Sequence, residues 1–188
     1  QGRFLFWDDQ ALVLDNPVAA MPLKQAVVEA FTHRVGTTWW PMRELSYALD
    51  HSLWGFNPFG FHLTNLLLFS LVTAGLYLVS RRRFGEGPAL LGALLFAVHP
   101  IHAEAVAWIS GRKDLLCAFF ILISWGLLDA CPETQGRRRI HLVAGLLAYV
   151  AACLSKTAAL PFPLAWWLMD RVLPFQNGRR WNTMARLP

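Results

Sequence analysis

Residues 59–80 read FGFHLTNLLLFSLVTAGLYLVS, with no Asp, Glu, Lys or Arg anywhere in the stretch. A bilayer crossing takes about 20 mostly apolar residues, and Phe59 to Ser80 supplies them. Arg81-Arg82-Arg83 follows at once, a cationic stop at a membrane boundary. Further along, Pro88 to Ile109 is a second apolar run, with Pro88 suited to the first turn of a helix. Leu115 to Leu128 is a third, Ile140 to Leu154 a fourth, and Thr157 to Met169 a fifth, with Val172 and Leu173 beyond it. The last three are short enough to be either spans or re-entrant helices. The pattern predicts an all-α integral membrane protein, with a bundle of four to five spans or re-entrant helices over residues 59–175.

Composition agrees. The chain has 188 residues, 55% of them hydrophobic, and a mean hydropathy of +0.37. Only 15% are charged, against roughly 25% in soluble proteins. That excludes a disordered chain and argues against a basic nucleic-acid-binding domain, whose charge would lie on a polar surface. Three cysteines, Cys117, Cys131 and Cys153, sit in or beside apolar runs and make no disulfide framework. The N-terminal QGRFLFWDDQ has no apolar core of signal-peptide length. A span preceding it is expected.

The net charge of +5 divides by side. If Phe59 to Ser80 runs from outside to inside, the three-arginine clusters at 81–83 and 137–139 fall inside, together with Arg171, Arg179, Arg180 and Arg186. Set against Glu86, Asp129, Glu133 and Asp170, the inside carries +6 and the outside −1. Lys and Arg in short loops fix orientation. This assignment makes residues 1–58 an extracytoplasmic loop and residues 176–188 a cytoplasmic basic tail. Within the loop, Leu23 to Arg34 and Met42 to Leu53 have helical apolar periodicity. They read as two amphipathic helices lying in the interface, with Trp39, Trp40 and Trp54 at headgroup depth.

Four features of the outer face carry candidate chemistry. Asp8-Asp9 borders an apolar stretch, and a carboxylate at a membrane-facing cleft is a general base for a hydroxyl. His99-Pro100-Ile101-His102-Ala103-Glu104 gathers polar groups at a helix end, where such residues are functional candidates. A zinc site would need three or four such ligands, and Pro100 interrupts the helix that would present them. Gly111-Arg112-Lys113-Asp114 places two cations at the start of a span, suited to a phosphate. Ser155-Lys156-Thr157 places a third cation between two apolar runs. Carboxylates and phosphate-binding cations on one side of a membrane suit a transferase with a lipid-phosphate sugar donor.

A series of strings then carries a resemblance: Asp8-Asp9 with Asn16-Pro17, Leu45-Ser46-Tyr47-Ala48-Leu49-Asp50, Leu53-Trp54-Gly55, and Gly60-Phe61-His62-Leu63-Thr64-Asn65-Leu66-Leu67-Leu68. After these come Leu95-Phe96-Ala97-Val98-His99-Pro100-Ile101-His102-Ala103-Glu104-Ala105-Val106, Gly111-Arg112-Lys113-Asp114 and Leu154-Ser155-Lys156. In this order the chain resembles the membrane part of the transmembrane and tetratricopeptide-repeat O-mannosyltransferase-like proteins, especially their bacterial relatives, over about residues 4 to 175. The resemblance implies a glycosyltransferase C fold, a polyprenyl- or dolichyl-phosphate sugar donor, a protein hydroxyl acceptor and membrane lipid as partners, and repeats after the membrane part. It implies Asp8 and Asp9 as the acidic catalytic pair. With the outer-face cations it points to Arg112, Lys113 and Lys156 for the donor phosphate, and His62, Asn65, His99, His102 and Glu104 around the site. No organic cofactor is called for, a divalent metal is left open with no ligand set assigned, and further membrane-complex partners are left open. The implied location is a bacterial inner membrane with the site on the periplasmic side, or the endoplasmic reticulum of a eukaryote. Two positions depart from the family pattern: Trp39-Trp40-Pro41-Met42 stands where Tyr-Arg-Pro-Leu is usual, and Phe69 stands in place of a histidine. They leave a second reading beside the transferase, a non-catalytic membrane scaffold that keeps the fold.

Overall fold

The computed structural model describes residues 8–35, 38–130 and 134–172. Residues 1–7 and the expected basic tail at 176–188 lie outside the described residues. Within them the chain is helical, with one isolated backbone bridge between Val35 and Thr38. A π-helical turn, Gln10–Leu14, leads into α1 (Pro17–Ala20), α2 (Leu23–Thr32) and α3 (Pro41–Trp54). Then come α4 (Pro58–Phe84), α5 (Glu86–Val98), α6 (His102–Ala107), α7 (Arg112–Asp129), α8 (Gln135–Ser155) and α9 (Phe162–Val172), with short 3-10 turns at Ile109–Gly111 and Thr157–Ala159.

Two Asn-Pro pairs start helices the same way. Asn16 Oδ1 accepts from Val18 N and Asn57 Oδ1 from Phe59 N, while Pro17 and Pro58, which have no N–H, need no acceptor at the first turn. The end of α4 is equally well marked. Arg81, Arg82 and Arg83 occupy its last turn, where cations meet the negative end of the helix dipole. Gly85 then turns the chain at φ 82°, a conformation a side chain would strain.

At 1.5 Å per residue, α4 spans about 40 Å and α8 about 31 Å. Among the described residues these two helices are long and apolar enough to cross a membrane by themselves. In the apolar windows of α4 and α8 only 22% and 17% of residues are buried. A soluble core helix would hide its leucines; here Leu66, Leu67, Leu71 and Leu78 of α4 and Val143, Leu146 and Leu147 of α8 face outward. The other runs are interrupted. The expected second span divides because Pro100 cannot continue the helix: α5 stops at Val98, and the chain turns before α6. The fifth run divides likewise around Pro161.

Small residues let the bundle close. Gly75 lies against Leu122 and Gly126 against Val79, so α4 and α7 run parallel at a constant offset. α8 returns antiparallel, with Gly145 against Leu128. At the C-terminal ends of α4 and α7, Asp129 accepts four hydrogen bonds. Arg83 Nη2 and Nε donate at 2.8 and 3.2 Å, Trp125 Nε1 at 2.9 Å, and Trp166 Nε1 at 3.2 Å. Asp170 of α9 adds a second carboxylate 3.6 Å from Arg83. This joins three helices around a desolvated ion pair. Asp129→Leu takes the nearer carboxylate from buried Arg83 and leaves Asp170 at 3.6 Å, so it should cost about 3 kcal/mol, the lower end for a broken buried pair. Arg83→Met combined with Asp129→Leu should recover most of the loss, read as the midpoint of thermal unfolding in detergent.

Candidate active site

The α3 helix turns its polar side toward the protein. Its polar residues Arg43, Glu44, Tyr47 and Asp50 are buried, while Leu49 and Leu53 are exposed. Positions 43, 44, 47 and 50 keep helical spacing, so they form a polar stripe facing the protein. Glu44 joins Arg43 to the preceding segment: Arg43 Nε donates to Glu44 Oε1 at 2.9 Å, and Asn16 Nδ2 donates to Glu44 Oε2. Arg43 is therefore engaged by its neighbour. Trp40, at the first departure from the family pattern, is half-buried immediately before Pro41 starts α3.

Arg112 begins α7 and is wholly buried. Its Nε donates to Asn65 Oδ1 at 2.8 Å and its Nη2 to the Phe61 carbonyl at 2.8 Å. Nη1 pairs with Asp50 and donates to the Ser46 carbonyl at 3.3 Å. The guanidinium carbon lies 4.9 Å from the Tyr47 ring centroid and 5.5 Å from that of Phe61. Burial pushes the Asp50 carboxyl above the usual carboxylate range, while Arg112 and the Thr64 hydroxyl work the other way. Burial likewise raises the Tyr47 phenol, against the pull of Arg112 and Arg43. A protonated Tyr47 suits its role, since its hydroxyl donates to the Ile109 carbonyl at 3.1 Å.

Asn65 extends the connection. Its Nδ2 donates to the carbonyls of Trp108 and Val106 at 3.1 and 3.4 Å. The Ile109–Gly111 turn is thereby held from both sides. Asp9 docks on it: Asp9 Oδ1 accepts from Ser110 N at 3.0 Å and from Ser110 Oγ at 2.6 Å, and the residue is wholly buried. Asp8, beside it, is half-buried. The two acids therefore have unlike surroundings, and the acidic pair sits beside the start of α7.

The other residues named from sequence divide into two groups. Lys113 is half-buried on the first turn of α7, and Lys156 pairs with Asp114 across α7 and α8. His62 lies half-buried on the first part of α4. His102 instead packs tilted against Phe96 at 4.0 Å between ring centroids, with Phe69 at 5.8 Å, so Phe69 makes an aromatic cluster at the α5–α6 corner. His99 is exposed and its Nδ1 accepts from Ile101 N at 3.2 Å. Glu104 is exposed on α6. Among the described residues no three His, Cys, Asp or Glu side chains gather as a metal site.

Sequence reasoning did not single out Ser110, Asp50 or Asp114 as partners. The available signals were the polar stripe of α3 and the small pair Ser110-Gly111 directly before two cations. Gly111 is there for space: a Cβ would lie 3.0 Å from the Ala105 Cα and 3.2 Å from its carbonyl oxygen.

Residues 40–185 match the family model described as dolichyl-phosphate-mannose-protein mannosyltransferase. The chain belongs to this family. Protein O-mannosyl-transferase TMTC4 of Homo sapiens is 37% identical over 157 residues, covering 71% of this chain and 21% of the human protein. Protein O-mannosyl-transferase TMTC1 of Homo sapiens is 39% identical over 137 residues, covering 65% and 15%. Protein O-mannosyl-transferase Tmtc1 of Drosophila melanogaster is 33% identical over 179 residues, covering 91% and 21%. The chain thus spans about a fifth or less of the length of these relatives. No solved structure matches it.

For this mannosyltransferase-family chain, Gly111→Ala should push the turn against the α6 backbone. Overpacking of this kind costs typically about 1–3 kcal/mol. Faster amide exchange at residues 106–112, with little change in α8, is the expected readout.

Proposed function

We propose that the chain forms part of a membrane glycosyltransferase that moves a sugar from a polyprenyl-phosphate donor to a protein Ser or Thr hydroxyl on the extracytoplasmic face. The observation that carries this reading is the seating of Asp9, the neighbour of Asp8, on Ser110, two and three residues before Arg112 and Lys113. In the step envisaged, the acceptor oxygen attacks the anomeric carbon of the sugar. The bond from that carbon to the phosphate oxygen breaks, and the acceptor proton passes to the Asp8 carboxylate. The polyprenyl phosphate leaves with the bonding electrons. Lys113, Lys156 and the positive end of α7 balance its charge.

The family match and the mannosyltransferase names of the relatives support mannose as the sugar. The exposed apolar residues Leu23, Val27 and Phe31 of α2, with Leu49 and Leu53 of α3, support interfacial seating of both helices. Such seating keeps the acidic pair near headgroup depth, where a lipid phosphate lies. In a eukaryote this face is the lumen of the endoplasmic reticulum; in a bacterium it is the periplasm.

The scaffold reading draws on Trp40 and on the Phe69–Phe96–His102 cluster, which fills the second departure with rings. Donor binding separates the two. A catalytic protein binds a polyprenyl-phosphate sugar, and Lys113→Ala weakens that binding; a scaffold binds none. For the base, Asp8→Asn should lower transfer to an acceptor peptide by about a hundredfold or more, within the usual range for general base catalysis. Unchanged transfer with both Asp8→Asn and Asp9→Asn would remove the acidic pair from the chemistry. The orientation has its own test. Single cysteines replacing exposed Lys24 and Arg82 should react with an impermeant maleimide from opposite sides of sealed vesicles.

A further inference from the structure

We propose that Arg112 is a positioning residue whose guanidinium, gripped by Asp50, Asn65 and the Phe61 carbonyl, sets the turn on which Ser110 holds Asp9, leaving the donor phosphate to Lys113 and Lys156. The inference rests on the transferase reading above and refines the roles of three cations that look alike in sequence.

Arg112 is wholly buried, whereas Lys113 and Lys156 are half-buried. All three guanidinium nitrogens already have protein partners, and two aromatic rings lie beside the group. The ion pair with Asp50 balances its charge. A phosphate reaching Arg112 would displace Asp50 and strand that carboxylate without water. The same contacts lead away from the phosphate and toward the acid. Asn65 accepts from Arg112 through Oδ1 and donates through Nδ2 to the Trp108 and Val106 carbonyls. Tyr47, beside the guanidinium, donates to the Ile109 carbonyl. Ser110 comes next in the chain, and both its donors meet Asp9 Oδ1. Arg112 thus reaches Asp9 through the Asn65 side chain, the backbone of residues 106–110 and the Ser110 donors.

Lysine cannot replace arginine here. A single ammonium cannot meet Asp50, Asn65, Phe61 and Ser46 from the edges of one plane. In the full-length protein in nanodiscs, Arg112→Lys should lower kcat roughly tenfold to a hundredfold, the range for a displaced catalytic group. Donor KM should stay within about twofold, because no phosphate contact is lost. Lys113→Ala should instead raise donor KM by roughly tenfold, the loss of one charge-assisted hydrogen bond. A second measurement does not need turnover: carbodiimide with an amine nucleophile, read by mass spectrometry, should label Asp8 and spare Asp9 in the parent. Arg112→Lys and Asp50→Asn should each open Asp9 to labelling.

A raised donor KM in Arg112→Lys with Asp9 still protected would make Arg112 a phosphate ligand and overturn the proposal. If neither Arg112→Lys nor Asp50→Asn folds, Asn65→Ala carries the test. It cuts the link from Arg112 to the Trp108 and Val106 carbonyls and should open Asp9 to labelling with donor KM unchanged; an unchanged Asp9 label overturns the proposal. Absence of transfer by the parent would sink the transferase reading, and the labelling would still decide whether Arg112 and Asp9 are coupled.

Discussion

A guanidinium without water must find all of its partners in protein, and Arg112 finds them on α3, α4 and in an ion pair with Asp50. That requirement organises one end of the molecule. Asp50 has to be on the inner side of α3, so the helix turns its polar stripe inward and leaves Leu49 and Leu53 outside. Asn65 must face α7, which brings its amide to the carbonyls of Val106 and Trp108. The carbonyls freed where α6 ends are satisfied in this way, in a region where unpaired backbone groups are costly.

Charge balance extends outward from there. α7 opens with Arg112 and Lys113, against the sense that a helix dipole favours. Asp50 offsets the first, and Asp114 engages Lys156 from α8. What remains is one half-buried lysine, a paired lysine and a positive helix end close to an anchored acidic residue. The Arg112–Asp50 pair lies where solvent screens it little, whereas the Lys156–Asp114 pair is partly open to solvent.

The span α4 was legible in the sequence, since an uninterrupted apolar run of that length leaves a chain little choice; the run that becomes α8 was legible as apolar but stood open between a span and a re-entrant helix. The all-α character and the strings that carry the family resemblance were legible too. The division of Pro88 to Ile109 was less so: its composition is apolar throughout, and Pro100 alone marks the break. Within the site, Asp8-Asp9, Arg112 and Lys156 stood out by residue type. Their environments did not. Burial of Arg112 depends on Asp50, 62 positions earlier in the chain, and the seating of Asp9 depends on Ser110, 101 positions later. Local pattern does not encode contacts at that separation. For the same reason Lys113 and Arg112, adjacent in sequence, could not be told apart before the fold was known.

α4 and α7 are fastened to each other twice. Asn65 meets Arg112 at one end and Arg83 meets Asp129 at the other, points roughly 26 Å apart along each helix. Two bolts through parallel rods remove both sliding and twisting. A shift that loosened one joint would load the other, and each joint holds a charge with nowhere to go. The pair therefore behaves mechanically as a single beam. The short α5 and the part of α9 beyond its contact with Arg83 lie outside this doubly fastened pair, so a displacement of either leaves both joints intact.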